Sequence, residues 1–198
     1  MIERVKMPQA ETPGGQNLTA QPVVILNPDG SAADGSGGSG AAGPTGLLTS
    51  ATFTPTAAAY GAGDIMDVAK QLQFLDSSGD PVPEGSIIRI LSAVMKIDVN
   101  AVPSGQTSYT LHLYSVTPPS AQADNAAWTL ASADLDGYRG ALALGAPVDL
   151  GACLYIRAQY LDIDVKLVTD SLWAELVTDG AHTAAAVARQ IILYGIVH

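Results

Sequence analysis

In this 198-residue chain, acid–base, nucleophilic or metal chemistry would have to come from three histidines (His112, His182, His198), one cysteine (Cys153) and 19 Asp and Glu residues. Nucleophilic catalysis needs an imidazole beside a Ser or Cys, with a third group to orient the ring. None of the histidines stands in such a context. In Leu111-His112-Leu113, strand alternation sets His112 opposite the leucines, so it is expected at the surface or in a hydrogen bond between subunits. Glycoside hydrolysis would need two carboxylates about 5 to 9.5 Å apart in a cleft. Of the aspartates Asp64, Asp67, Asp76, Asp80, Asp124, Asp134, Asp136, Asp162 and Asp164, four (Asp64, Asp76, Asp80 and Asp136) stand beside Gly, Ser or Pro, and turn or surface roles are expected for the set. In such turns the carboxylate satisfies nearby backbone N–H groups. Asp76, Asp80 and Glu84 could approach a calcium ion, but their spacing is not that of an EF-hand and the same residues make a good hairpin loop. Cys153, alone, forms no intrachain disulfide and no metal-ligand pair; in "ACLYIRA" it reads as a small buried hydrophobe. "GSGGSG" lacks the Lys-Ser/Thr ending of a phosphate loop. No catalytic, cofactor-binding or metal-binding residue is assigned, and the chain is expected not to be an enzyme.

Trp128, Trp173, Tyr60, Tyr155 and Tyr160 are candidates for sugar stacking, although aromatics such as those of "LWAEL" and "CLYIRA" more commonly pack inside strands. Nine basic against 19 acidic residues give a net charge of −10, with no Lys or Arg cluster, which argues against direct nucleic-acid binding. No apolar run approaches the roughly 18 to 20 residues of a membrane helix. "MIERVKMPQAETPGG" is followed by no apolar h-region, so the chain is expected to be made and kept in a cytoplasm until released.

The elements that must position these residues read as strands. Ile163, Val165 and Leu167 alternate with Asp162, Asp164 and Lys166, and Tyr109, Leu111 and Leu113 share one face of "SYTLHLYS". Further strands are expected in "SATFTPTAAAY", "AKQLQFLD", "SIIRILSAVMKIDV", "GALALGAPVDL", "CLYIRAQY", "SLWAELVT" and "QIILYGIV", separated by Gly, Pro, Asp and Ser clusters. About eight or nine strands so spaced describe an all-β, antiparallel β-sandwich of jelly-roll type. One or two short helices are expected, the candidates being Ala121 to Ala127, Ala133 to Tyr138 and His182 to Arg189. Residues 1–46 differ: "NPDGSAADGSGGSGAAGPTG" has almost nothing to bury, and ahead of it Val23, Val24, Ile25 and Leu26 form a short apolar run. The expected organisation is an extended arm and linker (1–46) before a sandwich (47–198). The apolar run would dock on a partner or serve as an edge strand of the sandwich.

In "LHLYSVTPPSAQADNAAW", residues 111–128, Pro118 and Pro119 remove two backbone donors and end the strand. Asp124 or Asn125 is placed to cap a short helix. "ASADLDGYRG" then leads back to a strand. Trp128 and Tyr138 are expected to pin this crossover against the sandwich. The segment from Tyr109 to Gly151, with "LYIRAQYLDIDVKL" and "LWAELVTDGAHTAAA" after it, resembles a group of tailed-bacteriophage virion structural proteins of β-sandwich type. In that group a strand ending in a proline turn precedes an Ala-Asp-Asn-x-Ala-aromatic segment, a polar turn containing Tyr, and a Gly. The resemblance covers residues 48–198, and the arm has no counterpart in it.

The resemblance implies a virion component assembled in the host cytoplasm, with the major capsid protein or a portal, collar or tail protein as partner. A capsid decoration or cement protein, or a head fibre, anchored by the arm, is the reading taken. A host-surface or glycan-binding module of a tail or collar fibre is the alternative. "QIILYGIV" is apolar on both faces, and in "SIIRILSAVMKIDV" Ile88, Ile90 and Val94 are expected opposite Leu91, Met95 and Ile97. Such surplus apolar surface suggests burial between subunits, with Ile192 and Ile196 as interface candidates. The resemblance implies a homo-trimer.

Overall fold

The computed structural model describes residues 46–120 and 122–197. The chain divides into two units, Met1–Ala42 and Gly43–His198. Val23, Val24, Ile25 and Leu26 lie outside the described residues.

Runs of β-branched, aromatic and leucine side chains, cut at Gly, Pro and Asp, form 11 strands among the described residues. They are β1 (Gly46–Phe53), β2 (Ala59–Tyr60), β3 (Lys70–Gln73), β4 (Ile87–Ile97), β5 (Tyr109–Tyr114), β6 (Tyr138–Gly145), β7 (Val148–Asp149), β8 (Leu154–Lys166), β9 (Ser171–Thr178), β10 (His182–Thr183) and β11 (Arg189–Val197). β2, β7 and β10 are two-residue pairings. The longer strands make two layers, β1-β11-β4-β8, extended by β7, and β3-β9-β5-β6, while β2 pairs with β10. Every pairing is antiparallel. Numbered among the eight longer strands, the layers read 1-8-3-6 and 2-7-4-5. This is the jelly roll, a sandwich of two interlocked Greek keys.

The core lies between the layers. Ile88, Ile90, Met95, Ile97, Leu154, Ile156, Ile191 and Leu193 come from one, and Leu72, Leu111, Leu113, Leu142, Leu144, Leu172 and Leu176 from the other. The alternation of Ile163, Val165 and Leu167 against exposed Asp162, Asp164 and Lys166 is as the sequence predicts. β4 departs from expectation. Its pairing with β8 shifts register between Ile90 and Ser92, where Leu91 stands opposite a longer stretch of β8 that includes Asp162 at φ 47°. A bulge of this kind switches which residues face inward. Ile88 and Ile90 therefore share the core face with Met95 and Ile97, and Val94 takes the other face with Leu91.

The helical candidates shrink to a single 3-10 turn, Ser132–Asp134, and no α-helix is present among the described residues. In place of the expected 182–189 helix, His182 and Thr183 form β10 and Arg189 begins β11, with 184–188 linking them outside any helix or strand. The connection after Tyr114 is also not a crossover. β5 and β6 are neighbours in one layer, so the chain leaves at Ser115 and returns at Gly137, where the Ser115 N–H donates to the Gly137 carbonyl at 2.8 Å.

Candidate functional site

The excursion from Ser115 to Gly137 folds over the outer face of the β3-β9-β5-β6 layer. That face carries His112 and Tyr114 from β5 and Trp173 and Glu175 from β9, with His112 registered opposite Glu175 and Tyr114 opposite Trp173. The excursion is tied to the layer's edge through residues 63–66. The Ile65 N–H donates to Ala126 O at 2.9 Å, the Asn125 N–H to Ile65 O at 2.8 Å, and the Trp128 N–H to Gly63 O at 2.9 Å. Met66 and Gly63 in turn donate to Leu176 O and Thr178 O of β9.

Asp124 fastens this junction. Its Oδ1 accepts the Tyr60 hydroxyl at 2.7 Å and the Asp67 N–H at 2.6 Å, and its Oδ2 accepts the Thr56 N–H at 2.9 Å. Burial acts to raise the Asp124 pKa, but the N–H groups of Asp67 and Thr56 and the Tyr60 hydroxyl outweigh it and hold the pKa below the ordinary value. The expected helix cap is thus corrected: no helix follows, so the carboxylate is free to bind backbone from a segment far away in sequence. Asn125 sits at φ 64°, a left-handed conformation that Asn tolerates well, and it turns the chain toward Trp128.

Beneath the excursion, the Trp128 indole lies flat on the His112 ring, centroids 3.7 Å apart and planes 18° apart. Trp128 Nε1 donates to the Tyr114 hydroxyl at 3.1 Å, and Tyr114 donates to Glu175 Oε2 at 2.9 Å. Tyr138 places its hydroxyl 3.0 Å from His112 Nδ1 and its ring edge-on to Tyr114. The His112 position is therefore a correction: it is buried under an indole rather than at the surface, and desolvation lowers its pKa to about 4. Burial raises the Glu175 pKa against the pull of the Tyr114 hydroxyl, the Trp128 indole and the Gln122 N–H. Glu175 Oε1 is buried and meets no donor at hydrogen-bond geometry among the described residues. Tyr114 is raised as well, by burial first, and stays a hydroxyl.

This arrangement can hold a segment in place; Glu175 and Tyr114, each 1% exposed, offer little to a substrate. Among the described residues no group of three or more His, Cys, Asp or Glu is arranged to hold a metal ion. Asp76 Oδ1 accepts the N–H groups of Ser78 and Asp80 at 2.8 and 3.0 Å, closing its own turn. Cys153 is a half-buried free thiol and Tyr60 is buried.

The chain matches no family model, and no curated protein is significantly similar to it. Among solved structures, one from Desmodium yellow mottle tymovirus is similar at 14% identity and a TM-score of 0.26, over 99% of this chain and 96% of that one. A score of that size does not establish a common fold.

The other candidate surface is the outer face of the β1-β11-β4-β8 layer. Ile192 and Ile196 are both half-buried there, while Ile191 and Leu193, on either side of Ile192, point into the core. Ile192 is registered between Ser50 and Val94, and the exposed Tyr194 between Leu48 and Ser92. Sequence reasoning did not single out Tyr114 or Glu175. The available signal was Glu175 itself, the one charged residue in "SLWAELVT".

Proposed function

We propose that this chain is a non-enzymatic structural component of a tailed-phage particle. It would be a capsid decoration or cement protein or a head fibre, anchored by residues 1–46 and assembled as a homo-trimer. The observation that carries this reading is the jelly-roll strand order, an architecture that recurs in viral capsid and lectin domains. Fold alone leaves function open. What weighs against catalysis on the same scaffold, and against sugar stacking by Trp128, is that His112, Tyr114, Glu175, Trp128 and Tyr138 engage one another under the excursion. Self-association draws support from the outer face of the other layer. Leu48 (46% exposed), Tyr194 (42%) and Leu91 (39%) stand there with half-buried Ile192. Apolar side chains gathered on one face commonly mark a contact surface.

Electron microscopy of purified particles tests the reading, using the full chain and a form lacking residues 1–40. The full chain should appear as projecting or cementing density, and the shortened form should stay soluble and unattached. Full occupancy by the shortened form overturns the anchor, and absence of the full chain from particles overturns the structural role.

A further inference from the structure

One end of the sandwich, where β1 and β4 finish and β5 and β11 begin, holds polar groups that nothing in the structural role requires. Arg189 lies there between Phe53 and Ile97 in register, and Tyr109 lies opposite Thr178. Two loops close this end. Gly105 and Gly180 bring them together backbone to backbone, since a methyl group on Gly180 would strike the Gly105 carbonyl. Gln106 follows on one loop and His182 on the other, its ring edge-on to Tyr109 at 6.4 Å.

Four buried atoms here have no hydrogen-bond partner among the described residues: Gln106 Nε2, Tyr109 Oη, His182 Nε2 and Arg189 Nε. Their side chains are 9%, 0%, 5% and 1% exposed. Arg189 Nη1 donates to the carbonyls of Ala185 at 3.3 Å and Val187 at 3.0 Å, but the ion pairs among the described residues involve only Lys70 and Arg89. Two carbonyl dipoles are not a countercharge, and a buried cation without one is costly. Burial raises the Tyr109 pKa while the Arg189 guanidinium and the Gln106 amide pull against it. The three polar heads are thus neighbours that stop short of bonding one another, and Tyr109 remains a hydroxyl able to donate.

We propose that Arg189, Tyr109 and Gln106 hold a small inorganic anion, of the size and charge of chloride, at this end of the sandwich. One such ion accepts from the guanidinium N–H, the phenol O–H and the amide N–H together and supplies the missing charge. A water would accept some of these bonds and leave the charge unpaired. The bound anion would brace the loop carrying Gln106 and the segment from Gly180 to Ala188 against β5 and β11.

Denaturant unfolding of the full chain in sodium chloride and in sodium gluconate at matched ionic strength reads the site. An ion bound only by the folded state lowers the unfolding constant about tenfold for each tenfold rise in its concentration above its dissociation constant. Chloride should do this, gluconate should not, Arg189→Met should abolish the difference, and Gln106→Leu should weaken it. Because Arg189→Met alters a buried residue and a failure to fold would mask the result, crystals of the unaltered protein grown in sodium bromide give a second reading. Anomalous density within hydrogen-bond distance of Arg189 Nε and Tyr109 Oη is expected. Equal unfolding in both salts, or a water or empty space in place of bromide, overturns the proposal.

Discussion

His112 and Glu175 face each other across β5 and β9, and burial moves their pKa values in opposite directions. For His112 the folded value, about 4, lies below the ordinary 6.5, so the unfolded chain takes up a proton that the folded chain resists. Its stabilising contribution is present above the ordinary value and is lost as pH falls toward the folded one. His112→Phe keeps a flat ring under Trp128 and cannot be protonated, so its denaturant midpoint should fall less steeply over that window. An unchanged slope would show that other groups govern the acid response. For Glu175 the folded pKa is raised, so the sign reverses: stability is fullest at low pH and is lost as pH rises through the folded value. Glu175→Gln retains an oxygen for the Tyr114 hydroxyl and removes the buried charge. This variant should be at least as stable as the parent once pH exceeds the folded pKa of Glu175, with the loss on rising pH gone, as read by thermal melts across pH.

At the scale of elements, the excursion from Ser115 to Gly137 depends on a few side chains for its position. Trp128→Ala removes the stack on His112 and the donor to Tyr114, at a cost of about 3 kcal/mol. Asp124→Ala takes the acceptor from the Thr56 and Asp67 N–H groups and leaves the Tyr60 hydroxyl only its longer contacts with Thr56, at about 1 to 3 kcal/mol. In both variants the amides of Asn125 and Trp128 should exchange hydrogen faster while those of β5 and β9 stay protected. Uniform loss of protection would show that the excursion and the sheet unfold as one. Strand existence was legible in the sequence because alternation such as that of Ile163 to Leu167 is local. The inward face of β4 was not, because the bulge depends on how many β8 residues fit opposite Leu91. His112 failed for a similar reason: its side of the strand was read correctly, but nothing near it in sequence tells that Trp128 will lie over it. The stretch 182–189, which looks helical, is held at its two ends instead: His182 and Thr183 pair with β2, and Arg189 pairs with β1 and β4.

For the whole molecule, the register of β11 makes the self-association proposal testable without confusion with unfolding. Ile192 lies on the outer face and Ile191 in the core. Ile192→Asp should leave the sandwich folded and, if this face joins subunits, reduce the mass measured by light scattering to that of one chain. Ile191→Asp should abolish folding outright, since a carboxylate would replace a core side chain. A parent protein that stays monomeric at high micromolar concentration would sink the trimer. The hydrogen bond between Ser115 and Gly137 has a consequence of a different kind. With its two ends already in contact, the excursion behaves as a graft on a finished sandwich: a short turn in its place would still join β5 to β6 as neighbours. Descendants of one ancestral scaffold could therefore gain, trade or lose this patch without re-pairing the strands. What they would inherit with it is the need to cover Glu175, a debt that only the graft discharges.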